Sequence, residues 1–279
     1  MRFDHTTLLT PVPPVSPVAP WVGGKRNLAK GIIARLQAVP HTAYVEPFIG
    51  MGGIFFRRPF RARAEIINDA SRDVATLFRI LQRHYQPFMD MLKWQVTSRA
   101  EFERLVATDP DTLTDLERAA RLLYLQRTAY GAKVAGRNFG AHVTGPARFD
   151  VTKLASMLEA AHERLAGVTI ECLPWQQALA RYDRPETLFY LDPPYWGCED
   201  YYGRELFSRA DFTALAETLA KLRGAWLMSL NDVPGVRECF AAFEIQAVET
   251  TYSLAGPGRQ GGGRAGEVLI SPRRGVMPG

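Results

Sequence analysis

Cysteine is scarce in this chain of 279 residues, and its three copies, Cys172, Cys198 and Cys239, are far apart and form no C-x-x-C pair. That excludes a disulfide framework and a cysteine-rich zinc site, and it suits a reducing compartment. Histidine is equally sparse: His5, His41, His84, His142 and His162 show no metal-ligand spacing, so no metal is expected. No apolar run approaches the length of a membrane span, and the first residues lack a signal-peptide pattern. The expectation is a cytoplasmic protein with no membrane partner. Internal repeats are also absent. Apolar residues, by contrast, make up 47% of the chain, enough to bury a full core as one domain with an insertion or as two small ones. A net charge of +5 suits a polyanion partner without requiring one.

Four residues, Asp192-Pro193-Pro194-Tyr195, carry the sharpest chemical signal. The preceding Phe189-Tyr190-Leu191 reads as a buried parallel strand, and in open α/β sheets ligands bind at the carboxyl ends of such strands. Two prolines hold the backbone extended and remove two N–H donors. The Asp192 carboxylate and the Pro193 carbonyl can then both accept hydrogen bonds from a ligand, while Tyr195 offers a flat face for stacking. Chemistry on a nucleobase amine is the first hypothesis. The bland alternatives are a proline turn after a core strand, or a Pro-rich ligand for a partner domain.

A second signal runs from Tyr44 to Gly53, with Glu46-Pro47-Phe48 ahead of Gly50, Gly52 and Gly53, and with Asp69 about 20 residues on. It looks like a nucleoside cofactor loop: a first strand at Tyr44-Val45, glycines that admit close backbone approach, and a helix starting at Ile54-Phe55-Phe56. Glu65-Ile66-Ile67 is a second strand, whose following Asp69 can take both hydroxyls of a ribose. The alternative is a tight strand-to-helix turn with no ligand. A third signal, Trp21-Val22-Gly23-Gly24-Lys25, feeds an amphipathic run from Asn27 to Val39. It lacks the phosphate-loop spacing, so ATP is not implied.

The rest reads as α/β. Residues 1–20, crowded with Pro11, Pro13, Pro14, Pro17 and Pro20, form an extended tail rather than a packed element. Helices are expected over Arg72–Tyr85, Gln86–Trp94, Glu101–Val106, Leu116–Thr128, Val151–Leu165, Trp175–Ala180 and Asp211–Leu222. Strands are expected at Val168–Cys172 and Trp226–Ser229, and a C-terminal antiparallel hairpin over Phe243–Ser253 and Glu267–Ser271. Tyr130 to Phe149, rich in glycine and basic residues, is a loop with a function or a disordered surface.

In the order W-x-G-G-K, E-P-F-x-G-x-G-G, N-D and D-P-P-Y, the chain resembles the Dam-like (D12 class) DNA adenine N6-methyltransferases, over about Trp21 to Ile270. Further echoes are Tyr130-Gly131-Ala132-Lys133, Asn138-Phe139-Gly140 and Ser229-Leu230-Asn231-Asp232. The resemblance implies a Rossmann-like methyltransferase fold, mostly parallel and closed by an antiparallel hairpin. The catalytic domain would span 21–82 and 168–279, with a mainly helical target-recognition region inserted at 83–167. It implies S-adenosylmethionine as methyl donor, double-stranded DNA as partner, and a bacterial or phage-infected cell as host. It leaves open a functional pairing with a cognate restriction endonuclease and implies no stable protein partner.

By the same resemblance, Asp192 and Pro193 activate the adenine amine within the tetrad completed by Pro194 and Tyr195. Trp21 and Lys25 hold the methionine moiety. Glu46, Pro47, Phe48, Gly50, Gly52 and Gly53 surround the cofactor, Asp69 takes its ribose, and Cys172 and Leu173 border its adenine. The base must be flipped out of the duplex, with Tyr195 stacking on it through its ring alone, so that phenylalanine would serve as well. Tyr130 is the candidate wedge, with Arg127, Lys133, Arg137 and Asn138 around it; a core tyrosine and solvated basic residues are the alternative. Arg259 and Arg264 are candidate phosphate contacts or part of a hairpin tip. Two other classes stay open: a methyltransferase acting on RNA adenine or a glutamine amide, and an idle DNA-binding module.

Overall fold

A computed structural model describes residues 9–140, 145, 147–199, 206–249 and 266–273. Its regular elements, in chain order, are β1 (Thr10–Pro11), α1 (Ala29–Gln37), β2 (Ala43–Glu46), β3 (Phe60–Arg61), β4 (Ala64–Asn68), α2 (Arg72–Arg83), α3 (Tyr85–Leu92), α4 (Arg99–Ala107) and α5 (Asp115–Thr128). There follow α6 (Val151–Leu165), β5 (Thr169–Glu171), α7 (Trp175–Tyr182), β6 (Thr187–Leu191), α8 (Arg209–Leu219), β7 (Ala225–Asn231), α9 (Pro234–Cys239), β8 (Glu244–Glu249) and β9 (Gly266–Ser271). Among the described residues no helix is long and apolar enough to cross a membrane.

Seven strands form one sheet in the order β5-β4-β2-β6-β7-β9-β8. The first five are parallel; β9 runs antiparallel to both β7 and β8. The chain winds outward from β2 through β4 to β5, then crosses back to β6 and on to β7. The order therefore reverses between β2 and β6, and a crevice opens at their carboxyl ends.

The period-two alternation of the strands divides the core. Leu188 and Tyr190 of β6 face one cluster, with Ile32, Phe55, Leu77, Leu123 and Leu158. Phe189 and Leu191 face the other, with Trp175, Leu179, Phe212, Leu215 and Trp226. Helices α1, α2, α5 and α6 thus cover one face of the sheet, and α7, α8 and α9 the other. Such double coverage is why the parallel strands read as continuous apolar runs. Helix starts follow local chemistry: Thr114 and Glu117 form a reciprocal cap on α5, Ser208 and Asp211 one on α8, and Asp150 caps α6.

Two expectations change, and the segment expected as an insertion packs on the sheet. Ile54-Phe55-Phe56 does not open an α-helix; it makes a single 3-10 turn, Phe55–Arg57. Pro59 forces the residue before it out of the α region, and Arg58 is accordingly extended at φ −65°, ψ 126°. Residues 10–20 are extended but packed. β1 pairs with β3, and the Val12 and Val15 amides bond to the Pro59 and Phe56 carbonyls at 2.9 and 2.7 Å. Val18 is buried, and α5 side chains take the carbonyls of Val18 and Pro20. Finally, residues 83–167 share a core with the sheet: Leu92, Phe102, Leu123 and Leu158 lie in the same cluster as Tyr44 and Ile67. The expected hairpin is present as β8 and β9; its link at 250–265, with Arg259 and Arg264, lies outside the described residues, as does His142.

Candidate active site

The crevice is built from three strand ends. After β2, the chain turns through Gly50 and Gly52 at φ +48° and +71°, a region L side chains avoid. A Cβ on Gly50 would lie 2.7 Å from the Trp21 indole nitrogen, so the indole packs directly on bare backbone. After β4, Asp69 holds this turn: one carboxylate oxygen accepts from the Gly50 amide and the other from the Ser71 amide, each at 2.9 Å. Burial raises the Asp69 pKa to about 6, against the pull of those two amides. Asn68 ties the strand ends together. Its side-chain amide donates to the carbonyls of Pro47 and Leu173 at 2.9 and 3.1 Å and accepts from the Leu173 amide at 2.9 Å. Trp21, Phe48, Asp69, Pro194, Leu206 and Phe207 line a recess of about 70 Å³, in which Phe48 and Phe207 meet edge to face at 5.8 Å.

After β6 comes the tetrad, and Lys25 is bound into it. This lysine is 2% exposed, and its ammonium donates to Gly23 O at 2.9 Å and to the Tyr195 hydroxyl at 2.6 Å. It pairs with Asp192 Oδ1 at 2.7 Å and lies 3.7 Å from Glu267 Oε2. The Tyr195 hydroxyl in turn donates to Glu267 Oε1 at 2.5 Å. Ser229 of β7 donates to Asp192 Oδ1 at 3.0 Å and sits 2.8 Å from the Tyr190 hydroxyl. Asn231, two residues on, clamps both the amide and the carbonyl of Trp196, at 2.9 and 3.0 Å. Burial raises the Asp192 pKa; Lys25 opposes the shift most strongly. Behind Asp192, buried Glu46 accepts from the Tyr44 hydroxyl at 2.6 Å, and burial raises its pKa to about 8, so it holds its proton at neutral pH. A cavity of about 600 Å³ opens over these groups, with Arg26, Arg57 and Arg127 also on its wall.

The residues read as cofactor and catalytic groups therefore converge. Trp21, Lys25, Glu46, Phe48, Gly50, Gly53, Asp192, Pro193 and Tyr195 line the large cavity, and Asp69 and Pro194 the smaller recess. Gly52 lies within the same turn, its φ requiring glycine, and Pro47 contributes its carbonyl to Asn68. Cys172 is exposed near Asp69, and the Leu173 backbone is taken by Asn68; neither residue is among those lining the two site cavities.

The DNA candidates divide. Tyr130 is 61% exposed at the edge of a second cavity of about 380 Å³, which it shares with Gly23, Lys25 and Glu267. Lys133 and Asn138 are exposed beside it. Arg127 points inward, donating to the Val18 carbonyl at 2.8 Å, so it anchors the N-terminal segment. Arg137 is half-buried and donates to the Lys133 carbonyl at 3.2 Å, and burial lowers its pKa to about 10. Both guanidinium groups are thus engaged by backbone carbonyls.

Sequence reading missed Glu267, Ser229, Asn231 and Asn68 as site residues. Ser229, Asn231 and Asn68 stood in noted motifs without a role. Glu267 had one signal, an acid opening an otherwise apolar strand, Val268-Leu269-Ile270. Among the described residues, no group of three or more His, Cys, Asp or Glu side chains is placed to hold a metal.

Residues 21–254 match the family of D12 class N6 adenine-specific DNA methyltransferases. The chain is 24% identical over 272 residues to the type II methyltransferase M1.LlaDCHI of Lactococcus lactis subsp. cremoris, covering 91% of this chain and 94% of that protein. It is 20% identical over 240 residues to the type II methyltransferase M.CviBI of Paramecium bursaria Chlorella virus NC1A, covering 85% and 91% respectively.

Proposed function

The chain belongs to the D12 class of N6 adenine-specific DNA methyltransferases, and from that premise we propose that it transfers a methyl group from S-adenosylmethionine to the exocyclic amine of a flipped adenine in double-stranded DNA. The observation that carries this reading is the Asp192 carboxylate, held by Lys25 and Ser229 at the end of β6 and open to a cavity that the glycine turn also lines.

The residues fit such a donor. Trp21, its indole packed on Gly50, lines both the large cavity and the adjoining recess, and the Asp69 carboxylate, fixed by two amides, lines that recess as an acceptor for a ribose. Trp21 and Lys25 would hold the methionine moiety, Glu46 to Gly53 would surround the nucleoside, and Cys172 and Leu173 would border its adenine. When bound, S-adenosylmethionine supplies an activated sulfonium methyl.

The acceptor needs more help, because the lone pair of adenine's amine is delocalised into the ring. Asp192 and the Pro193 carbonyl draw its two hydrogens out of plane and localise that pair. One amine hydrogen takes over the Asp192 position that Lys25 occupies in this structure. Positioning and preorganised acceptors then carry most of the rate. Burial raises the Asp192 pKa, which makes it a better acceptor for the hydrogen shed after methylation. The ring of Tyr195 stacks on the flipped base and offsets part of an unstacking cost of a few kcal/mol. Exposed Tyr130, with Lys133 and Asn138, meets the duplex next to the smaller cavity. Such an enzyme works beside its DNA, in the cytoplasm of a bacterial or phage-infected cell.

Modification mapping of DNA from cells expressing the protein tests this. N6-methyladenine at one fixed sequence is expected; no modified adenine in DNA, with methyl groups found instead on RNA or on protein glutamine, would sink the reading.

A further inference from the structure

We propose that Arg57 is the residue that binds the carboxylate of the methyl donor: its guanidinium, on the wall of the large cavity, takes the one anionic group that S-adenosylmethionine carries and so fixes the amino-acid end of the donor. This rests on the proposed function above and deepens it, assigning a role to a residue four positions past the last glycine of the turn.

The charges on this wall do not balance. Lys25 pairs with Asp192 at 2.7 Å, Glu46 holds its proton at neutral pH, and Arg127 donates to the Val18 carbonyl at 2.8 Å. Arg26 and Arg57 remain, both on the cavity wall, and among the described residues neither has a carboxylate partner. Burial lowers the Arg57 pKa, and neighbouring Arg26 lowers it further. Two close guanidinium groups, one of them half-buried, are costly to hold until an anion joins them.

Arg57 is also held ready for such a group. It closes the 3-10 turn Phe55–Arg57, and its Nη1 donates to the Gly53 carbonyl at 2.6 Å. Its Nε and Nη2 have no partner among the described residues, which leaves the forked edge that grips a carboxylate through two parallel bonds. Gly53 lies between this guanidinium and the Trp21 to Lys25 segment: a Cβ on it would be 3.8 Å from Arg57 Nη1 and 3.7 Å from the Lys25 amide nitrogen. That segment is the one read as holding the methionine moiety. Arg26 lines both this cavity and the one beside Tyr130, whereas Arg57 lines the large cavity and not the one beside Tyr130, which favours a small ligand over the duplex as its partner. The donor carries a sulfonium, an ammonium and a carboxylate. A guanidinium repels the first two and attracts the third.

The test is calorimetric binding of S-adenosylmethionine and of its decarboxylated form, which keeps the sulfonium, the amine and the nucleoside, to the parent chain, Arg57→Gln and Arg57→Lys. The parent is expected to bind the carboxylated ligand about 10- to 100-fold more tightly, the range set by hydrogen bonds to a charged group. In Arg57→Gln that ratio should fall about tenfold, because only the carboxylated ligand loses a partner. Arg57→Lys should fall between the two, since lysine keeps the charge without the fork. A parent without preference, an unchanged ratio in Arg57→Gln, or equal losses for both ligands would reduce Arg57 to a support for the Gly53 turn and overturn the proposal. Weaker binding of duplex DNA by Arg57→Gln at an unchanged ratio would assign the cation to a phosphate and overturn it equally. If Arg57→Gln fails to fold, Arg57→Lys decides, since a ratio equal to the parent's overturns the proposal there too. A parent chain that binds neither ligand would refute the cofactor reading itself, a result distinct from any change in the ratio.

Discussion

Two buried charge clusters lie on the same sheet and are built in opposite ways. Near the start of β4, Glu65 is enclosed by arginines: Arg58 at 2.9 Å, Arg164 through two bonds at 2.5 and 2.8 Å, and Arg61 at 3.5 Å. Two of these cations also lie over aromatic faces, Arg58 over Tyr44 at 3.5 Å and Arg164 over Phe55 at 4.1 Å. At the carboxyl end of β6, Asp192 and Glu267 both approach Lys25. The first cluster is closed, and Lys25 and Asp192 of the second line a cavity. A carboxylate surrounded by fixed guanidinium forks has every lone pair used and can only hold structure. A carboxylate that meets one ammonium and a serine at a single oxygen, on the wall of a cavity, keeps a face that an incoming donor group can approach. The difference between scaffold and site here is one of openness: the Glu65 side chain is 2% exposed, whereas that of Asp192 is 24% exposed on the cavity wall.

The sharpest way to break this comparison is at the scaffold. Glu65→Ala leaves Arg58 and Arg164 buried without their carboxylate, and unfolding by urea should show a loss of about 3 to 5 kcal/mol. Donor affinity measured below the transition should be unchanged; a variant as stable as the parent would deny Glu65 its structural role. Next is Asp192→Ala. It should cut methyl transfer by about 10² to 10³-fold, the usual effect of removing one preorganised group from a reacting centre. Lys25 retains Glu267 as a partner, so the urea midpoint should move little. Turnover within tenfold of the parent would remove Asp192 from the chemistry.

A smaller effect is expected at Tyr195. In the scaffold cluster the aromatic residues meet the cations with their faces; the Tyr195 ring lies 4.6 Å from the Lys25 ammonium in the same way and adds a hydroxyl bonded to both Lys25 and Glu267. Tyr195→Phe should therefore lower stability by about 1 to 2 kcal/mol and not pass as neutral. Equal unfolding curves for Tyr195→Phe and the parent would restore the view that only its ring matters. A pH-dependent effect concerns Glu46, whose folded pKa is raised from 4.5 to about 8. Between those values the folded chain keeps a proton the unfolded chain has released, so stability falls as pH rises through the window. Glu46→Gln should flatten that slope, read as a smaller difference between urea midpoints at pH 5 and pH 8; an identical slope would mean that Glu46 titrates normally.

The regular elements were largely legible in the sequence. Val151–Leu165 is the helix its apolar spacing indicates, and the runs around Tyr44, Ile66, Tyr190 and Met228 are the parallel strands. These are local signals: burial on one face sets a period, and caps such as Thr114 with Glu117 lie within one turn of the helix they start. Pro59 is the exception: Ile54-Phe55-Phe56 has the apolar character of a helix start, but the proline that follows stops it after one 3-10 turn. The packing of the proline-rich segment was not legible either. Prolines forbid a helix, but whether an extended segment is covered depends on donors elsewhere, here Gln126 and Arg127 of α5.

The sequence alone determined which residues could do chemistry: the glycine turn, the acids after β2 and β4, Lys25 and the D-P-P-Y tetrad are all visible as spaced motifs. Only the tertiary structure decided how their charges are paired. Lys25 and Tyr195 are 170 positions apart, and Glu267 joins them from a strand that runs the other way. The same packing turned Arg127 inward while leaving Tyr130 outside. The physical reason is that periodicity and turn chemistry act over a few residues along the chain. The energy of a buried charge depends on whichever groups the fold brings within a few ångströms of it.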